Sequence, residues 1–141
     1  MEVKFREMNL IMESTDALYH EAAKRLGLSD ADFCILYILT ESNGIAPQKV
    51  LYKETGISRS TINSAIKRME REGILEIHAI DGRSTEISLT GKGKMLSGDT
   101  VDKVIRIENK IYEGWSEEER EIALRLNRDF MDKFAMEVER L

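Results

Sequence analysis

The chain has 141 residues, 42% of them hydrophobic, a single cysteine and a formal net charge of −5. That length and apolar content suit one compact domain, residues 1–141, and the lone cysteine excludes an intramolecular disulfide. Glu2, Lys4, Arg6, Glu7, Glu13, Asp16 and Glu21 interrupt the first 25 residues, excluding an apolar signal region or membrane span there, so we expect a cytoplasmic protein with no membrane partner.

The first long helix carries Phe5, Met8, Met12, Thr15, Tyr19, Ala22 and Leu26 at alternating spacings of three and four, a heptad-like seam. Ser29 followed by Asp32 reads as a capping box for the next helix, which contains Phe33, Leu36, Tyr37 and Leu39. Cys34 falls between Phe33 and Ile35 in this apolar helix and is expected in the core. No neighbouring cation would lower its pKa for redox sensing.

From Gly56 to Gly93 the chain reads as a tight turn, a polar-faced helix, a charged hairpin and a new helix start. Pro47 suits the first position of a short helix through Val50 and Leu51 to Thr55, because its missing N–H is not needed there. Gly56 ends that helix, and Ser58 is placed to cap a second through its side-chain oxygen. Two helices joined this tightly make a helix-turn-helix. At 3.6 residues per turn the second helix has an apolar face of Ile62, Ala65, Ile66 and Met69 and a polar face of Ser60, Ser64, Lys67 and Arg71. Its first half offers Arg59, Ser60, Thr61, Asn63 and Ser64, groups that suit base edges in a major groove, with Lys67 and Arg71 for phosphates.

After Gly73 the periodicity changes to two. Pairing Leu75 with Leu89 and Ile77 with Ile87 keeps the apolar residues on one face, whereas a one-residue slip sets Ile77 against Glu86. A three-residue loop of Asp81, Gly82 and Arg83 satisfies that register, with Gly82 available for a positive φ and Arg83 at the tip, where Asp81 can steer it toward a minor groove. Between Pro47 and Lys94 nine lysines and arginines face six acidic residues, so this stretch carries +3 and the rest −8. A locally basic middle can bind phosphates although the whole chain is acidic.

One long helix between Thr90 and Tyr112 offers Met95, Val101, Val104, Ile105 and Ile111. Ser116 with Glu119 caps a last helix offering Ile122, Leu126, Phe130, Phe134 and Val138. These helices present more apolar surface than a lone reader leaves bare. Catalysis finds little support. His20 and His78 belong to no metal-ligand spacing or triad, Met95 stands where a phosphate loop needs Ser or Thr, and Glu117 to Glu119 fit the first turn of a helix. We expect no enzyme, cofactor or metal.

Residues from about Ser29 to Trp115, and more loosely the whole chain, resemble the MarR family of winged helix-turn-helix regulators. The resemblance rests on Leu51, Gly56, Ser58, Thr61, Arg68, Met69, Glu70, Gly73, Asp81, Arg83, Leu89, Thr90 and Gly93 at compatible spacing. Two positions depart from the family pattern: Tyr52 replaces a usual alanine, and Ser64 stands where many members carry a larger basic residue. The resemblance implies a mainly α fold with a small β wing. Its DNA-binding core would span about 29–94, with dimerisation helices over about 1–28 and 95–141. It further implies a homodimer on double-stranded DNA, a repressor at a pseudopalindromic operator, and release by a small aromatic or lipophilic effector. Met12, Tyr19, Phe33, Tyr37 and Trp115 are the candidate pocket walls. The rival reading is a winged-helix module that binds protein rather than DNA.

Overall fold

The computed structural model describes residues 3–141. Its elements are α1 (Arg6–Arg25), α2 (Asp30–Glu41), β1 (Ile45–Pro47), α3 (Gln48–Glu54), α4 (Arg59–Arg71), β2 (Leu75–Ala79), β3 (Thr85–Leu89), α5 (Gly91–Asp99), α6 (Val101–Glu113) and α7 (Glu117–Val138). The fold is mainly α with a small antiparallel sheet, as the resemblance implies. One compact unit ends at Val104 and a second comprises Ile105–Leu141.

In the first unit the core gathers Leu36 and Leu39 of α2, Leu51 of α3, Ile62, Ile66 and Met69 of α4, Leu75 and Ile87 of the sheet, and Val101. All are nearly inaccessible to solvent, and their burial supplies the main force that fixes the reader's helices against one another. Cys34 is half-buried against this core rather than inside it. Ser29 caps α2 by accepting from the Asp32 N–H at 3.1 Å. The reciprocal half of the expected capping box gives way to another bond: the Asp32 carboxylate pairs with Arg68 of α4.

The hairpin has the register required by its apolar residues, Leu75 opposite Leu89 and Ile77 opposite Ile87. Beyond the paired strands the Ile80 N–H donates to the Ser84 carbonyl at 2.9 Å, leaving Asp81, Gly82 and Arg83 as the tip. Gly82 does not take a positive φ. The Asp81 carboxylate instead ties the turn by accepting from the N–H groups of Arg83 at 2.8 Å and Ser84 at 2.9 Å.

Two other expectations change, and a third strand joins the hairpin. Pro47 precedes the first helical residue, with an extended ψ of 139°, because it also ends β1. That strand pairs with β3 through Ala46 and Ile87, giving the sheet order β1-β3-β2. Its three residues are too few to show a period-two pattern. The single long helix expected after Thr90 breaks at Thr100, whose φ of −126° and ψ of −95° are not helical. The Thr100 hydroxyl donates to the Leu96 carbonyl at 2.6 Å, satisfying one acceptor in the last turn of α5.

Gly93 is required by a close approach. A Cβ there would lie 2.2 Å from the Ile74 carbonyl oxygen, so α5 can start against the residue that leads into β2 only without a side chain at this position.

In the second unit, Ser116 and Glu119 form a complete capping box at the start of α7. The Arg120 guanidinium donates to the Tyr112 and Trp115 carbonyls at 3.2 and 2.9 Å, holding the turn before α7. No residue of α7 is buried, and Ile122, Leu126, Phe130, Phe134 and Val138 lie exposed along it.

Candidate nucleic-acid interface

The turn between α3 and α4 is built as a helix-turn-helix requires. Gly56 has a φ of +65°, and Ser58 caps α4 by accepting from the Thr61 N–H at 3.3 Å. Ile62, Ala65, Ile66 and Met69 are buried, so the opposite face of α4 is committed to solvent by the same helical period.

On that outward face Arg59, Ser60, Thr61, Ser64, Lys67 and Arg71 are exposed, while Asn63 is half-buried at its edge. Thr61 shares a 2.7 Å hydrogen bond with the Ser58 hydroxyl, so it helps close the helix cap as well as facing outward. Ser64 and Arg71 line a groove of about 600 Å³ between α4 and the start of α2, together with Ile57, Ala65 and Arg68. Asp30 and Asp32 of α2 also border it. Arg68 is not free to bind phosphate: it is engaged by Asp32 and by Glu72, the latter at 3.2 Å. The Asp32 hydrogen bond raises its pKa further above the ordinary guanidinium value, so it remains a cation.

Arg83 is exposed at the wing tip with Asp81. The two N–H bonds from Arg83 and Ser84 hold the Asp81 carboxyl below its ordinary pKa, so it is ionised at neutral pH. Asp81 therefore fixes the backbone at Arg83 while the guanidinium projects from the turn.

Sequence reasoning did not identify two contributors from α3. Tyr52 donates from its hydroxyl to Asn63 Oδ1 at 3.4 Å and lies beneath the Arg59 guanidinium, 4.5 Å from ring centroid to Cζ. Gln48 Nε2 donates to the same hydroxyl at 2.6 Å. The bulky departure at position 52 is accommodated at the helix edge, half-buried, where its ring supports one candidate reader and its hydroxyl another. The only sequence signal was a large aromatic at a position where a small residue is usual.

The suggested effector walls are only partly brought together. Tyr19, Phe33 and Tyr37 form an aromatic row, with centroid distances of 6.4 Å and 5.9 Å. Phe33 is buried in the core, and Met12 is 47% exposed further along α1. Trp115 belongs to the second unit, where its ring lies 5.4 Å from Tyr112. Among the described residues, no three His, Cys, Asp or Glu side chains gather as a metal site, and no helix is long and apolar enough to cross a membrane.

The sequence model of the MarR family matches residues 26–84. No curated protein matches the chain. Among solved structures, a MarR family regulator from Neisseria meningitidis has a TM-score of 0.78 at 16% identity, with 97% of this chain and 96% of that one covered. A MarR family transcriptional regulator from Silicibacter pomeroyi has a TM-score of 0.70 at 23% identity, covering 89% and 86%. NadR in complex with 4-hydroxyphenylacetate has a TM-score of 0.69 at 19% identity, covering 96% and 95%. These likenesses establish the fold, and the sequence match contains the whole helix-turn-helix and the wing tip. The chain thus resembles the MarR family of winged helix-turn-helix transcriptional regulators in sequence over residues 26–84 and shares the fold of solved members of that family.

Proposed function

We propose that the protein acts as a homodimeric repressor on a pseudopalindromic operator and is released by a small aromatic or lipophilic effector. The observation that carries the DNA-binding part is the division of α4 into a buried apolar face and an exposed face bearing Arg59, Ser60, Thr61, Ser64, Lys67 and Arg71, beside an exposed Arg83. In this reading Arg59, Ser60, Thr61, Asn63 and Ser64 contact bases, Lys67 and Arg71 hold phosphates, and Arg83 enters the minor groove while Asp81 sets its turn. The dimer would bury the exposed apolar residues of α1 and α7, including Met8, Met12, Leu126 and Phe134. A two-fold dimer presents two α4 helices to two related half-sites. The aromatic row of Tyr19, Phe33 and Tyr37 supports an aromatic effector, and the NadR complex with 4-hydroxyphenylacetate offers a precedent. Met12 and Trp115 remain proposed walls.

Purified protein should run as a dimer in light scattering at micromolar concentration and select paired, inverted half-sites from random duplexes. A stable monomer, or retention of no duplex at moderate salt, would contradict the proposal. Addition of 4-hydroxyphenylacetate or related aromatic acids and phenols to the selected complex tests the effector part through release of labelled duplex.

A further inference from the structure

Asn63 is held by groups outside its own helix. Thr85 Oγ1 on β3 donates to Gln48 Oε1. Gln48 Nε2 donates to the Tyr52 hydroxyl at 2.6 Å, and that hydroxyl donates to Asn63 Oδ1 at 3.4 Å. All three bonds run in one direction. A carboxamide accepts at oxygen and donates at nitrogen, and a hydroxyl that accepts from Gln48 retains its single proton for Asn63. Oδ1 keeps a second lone pair, but its bond to the Tyr52 hydroxyl turns it toward α3, so the polar group that Asn63 directs away from this network is its NH₂, a donor only.

We propose that Tyr52 is a specificity-determining positioning residue, which, together with Gln48 and Thr85, turns Asn63 so that it offers a donor and not an acceptor to the major groove. The inference rests on the proposed DNA reading by α4. An asparagine free to rotate matches adenine with both its atoms, accepting from N6 and donating to N7. With Oδ1 turned toward Tyr52, Asn63 presents its NH₂ to the groove and donates. It is therefore satisfied by N7 or O6 of guanine, N7 of adenine or O4 of thymine, and refuses cytosine, whose major-groove edge offers only the N4 donor. The chain thus excludes one base at this position instead of selecting one.

The test is selection from duplexes randomised across the operator, using the full chain and its variants. Asn63→Ala locates the position by abolishing preference there. Tyr52→Phe keeps a ring for Arg59 but removes the proton that holds Asn63 Oδ1. Gln48→Glu replaces the amide donor with a second carboxylate oxygen, which draws the Tyr52 proton away from Asn63. Both variants should acquire a preference for adenine at the located position of each half-site, by about tenfold over guanine and thymine. For Tyr52→Phe, which changes no charge, affinity for scrambled duplex and the melting temperature should remain near wild type, which a purely structural role for Tyr52 would not predict. If Tyr52→Phe and Gln48→Glu select the wild-type operator, the positioning role is overturned while DNA reading stands. If the wild-type chain selects no sequence, the DNA-reading proposal falls and takes this inference with it.

Discussion

Arg68 of α4 reaches the Asp32 carboxylate in the first turn of α2, joining the reading helix to the scaffold by an ion pair between residues 36 apart in sequence. The Asp32 side chain is only 14% exposed, so removal of its partner leaves a largely desolvated carboxylate. Arg68→Ala should cost about 1–3 kcal/mol in urea unfolding. The Arg68→Ala/Asp32→Ala double variant should lose less than the sum of the single losses. A loss for Arg68→Ala within about 0.5 kcal/mol, typical of a featureless surface site, would show that the pair does not anchor α4.

The Asp81 turn should loosen only in acid. The folded carboxyl has a pKa below its ordinary value because it accepts from the Arg83 and Ser84 N–H groups, bonds absent from the unfolded chain. Its stabilising contribution is therefore fully present above the unfolded aspartate pKa and is lost as pH falls through the lower, folded value. The Arg83 and Ser84 amide resonances should follow that single acidic transition. Asp81→Ala should abolish it and speed hydrogen exchange at both amides; unchanged exchange would remove Asp81 from the role of fixing the tip.

The two DNA-contacting elements should fail in different ways. Asn63→Ala should cost about 1–3 kcal/mol on the selected operator and little on scrambled duplex. Arg83→Ala should weaken binding to many sequences and reduce the magnitude of the salt slope by about one. Titrations at several salt concentrations, with circular dichroism confirming the fold, separate these outcomes. Wild-type affinity of folded Arg83→Ala at every salt would remove the wing from the interface.

Gly93→Ala should destabilise the first unit by about 1–3 kcal/mol, the usual cost of overpacking, because the added Cβ meets backbone and not a yielding side chain. Gly98→Ala, where a Cβ meets nothing within 4 Å, serves as the control in the same helix. Equal urea midpoints for the two variants would refute the close-approach requirement.

Cys34 should be a poor thiol nucleophile in the folded protein. Burial raises its pKa first, and the negative charges of Asp30 and Asp16 raise it further, reducing the thiolate fraction at neutral pH. Its reaction with a disulfide reagent should be slower in buffer than in urea. Faster reaction in the folded state would identify it as an activated thiol.

The sequence alone determined the features governed by local periodicity and caps: the two faces of α4, the Ser58 and Ser116 caps, and the hairpin register set by Leu75, Ile77, Ile87 and Leu89. Each follows from side-chain spacing or from a hydrogen bond spanning three residues. Tertiary structure decided what depends on residues far apart in the chain. Asp32 serves Arg68 and not its own helix's capping box, Pro47 joins a strand whose partner lies near residue 87, and Thr85, Gln48 and Tyr52 converge on Asn63. The break at Thr100 likewise escaped a reading by apolar spacing, because residues on either side retain helical periodicity while one residue's backbone leaves the helix. Spacing along a chain specifies which face a side chain occupies; which distant polar group meets it there is determined only once the core has brought the helices and sheet together.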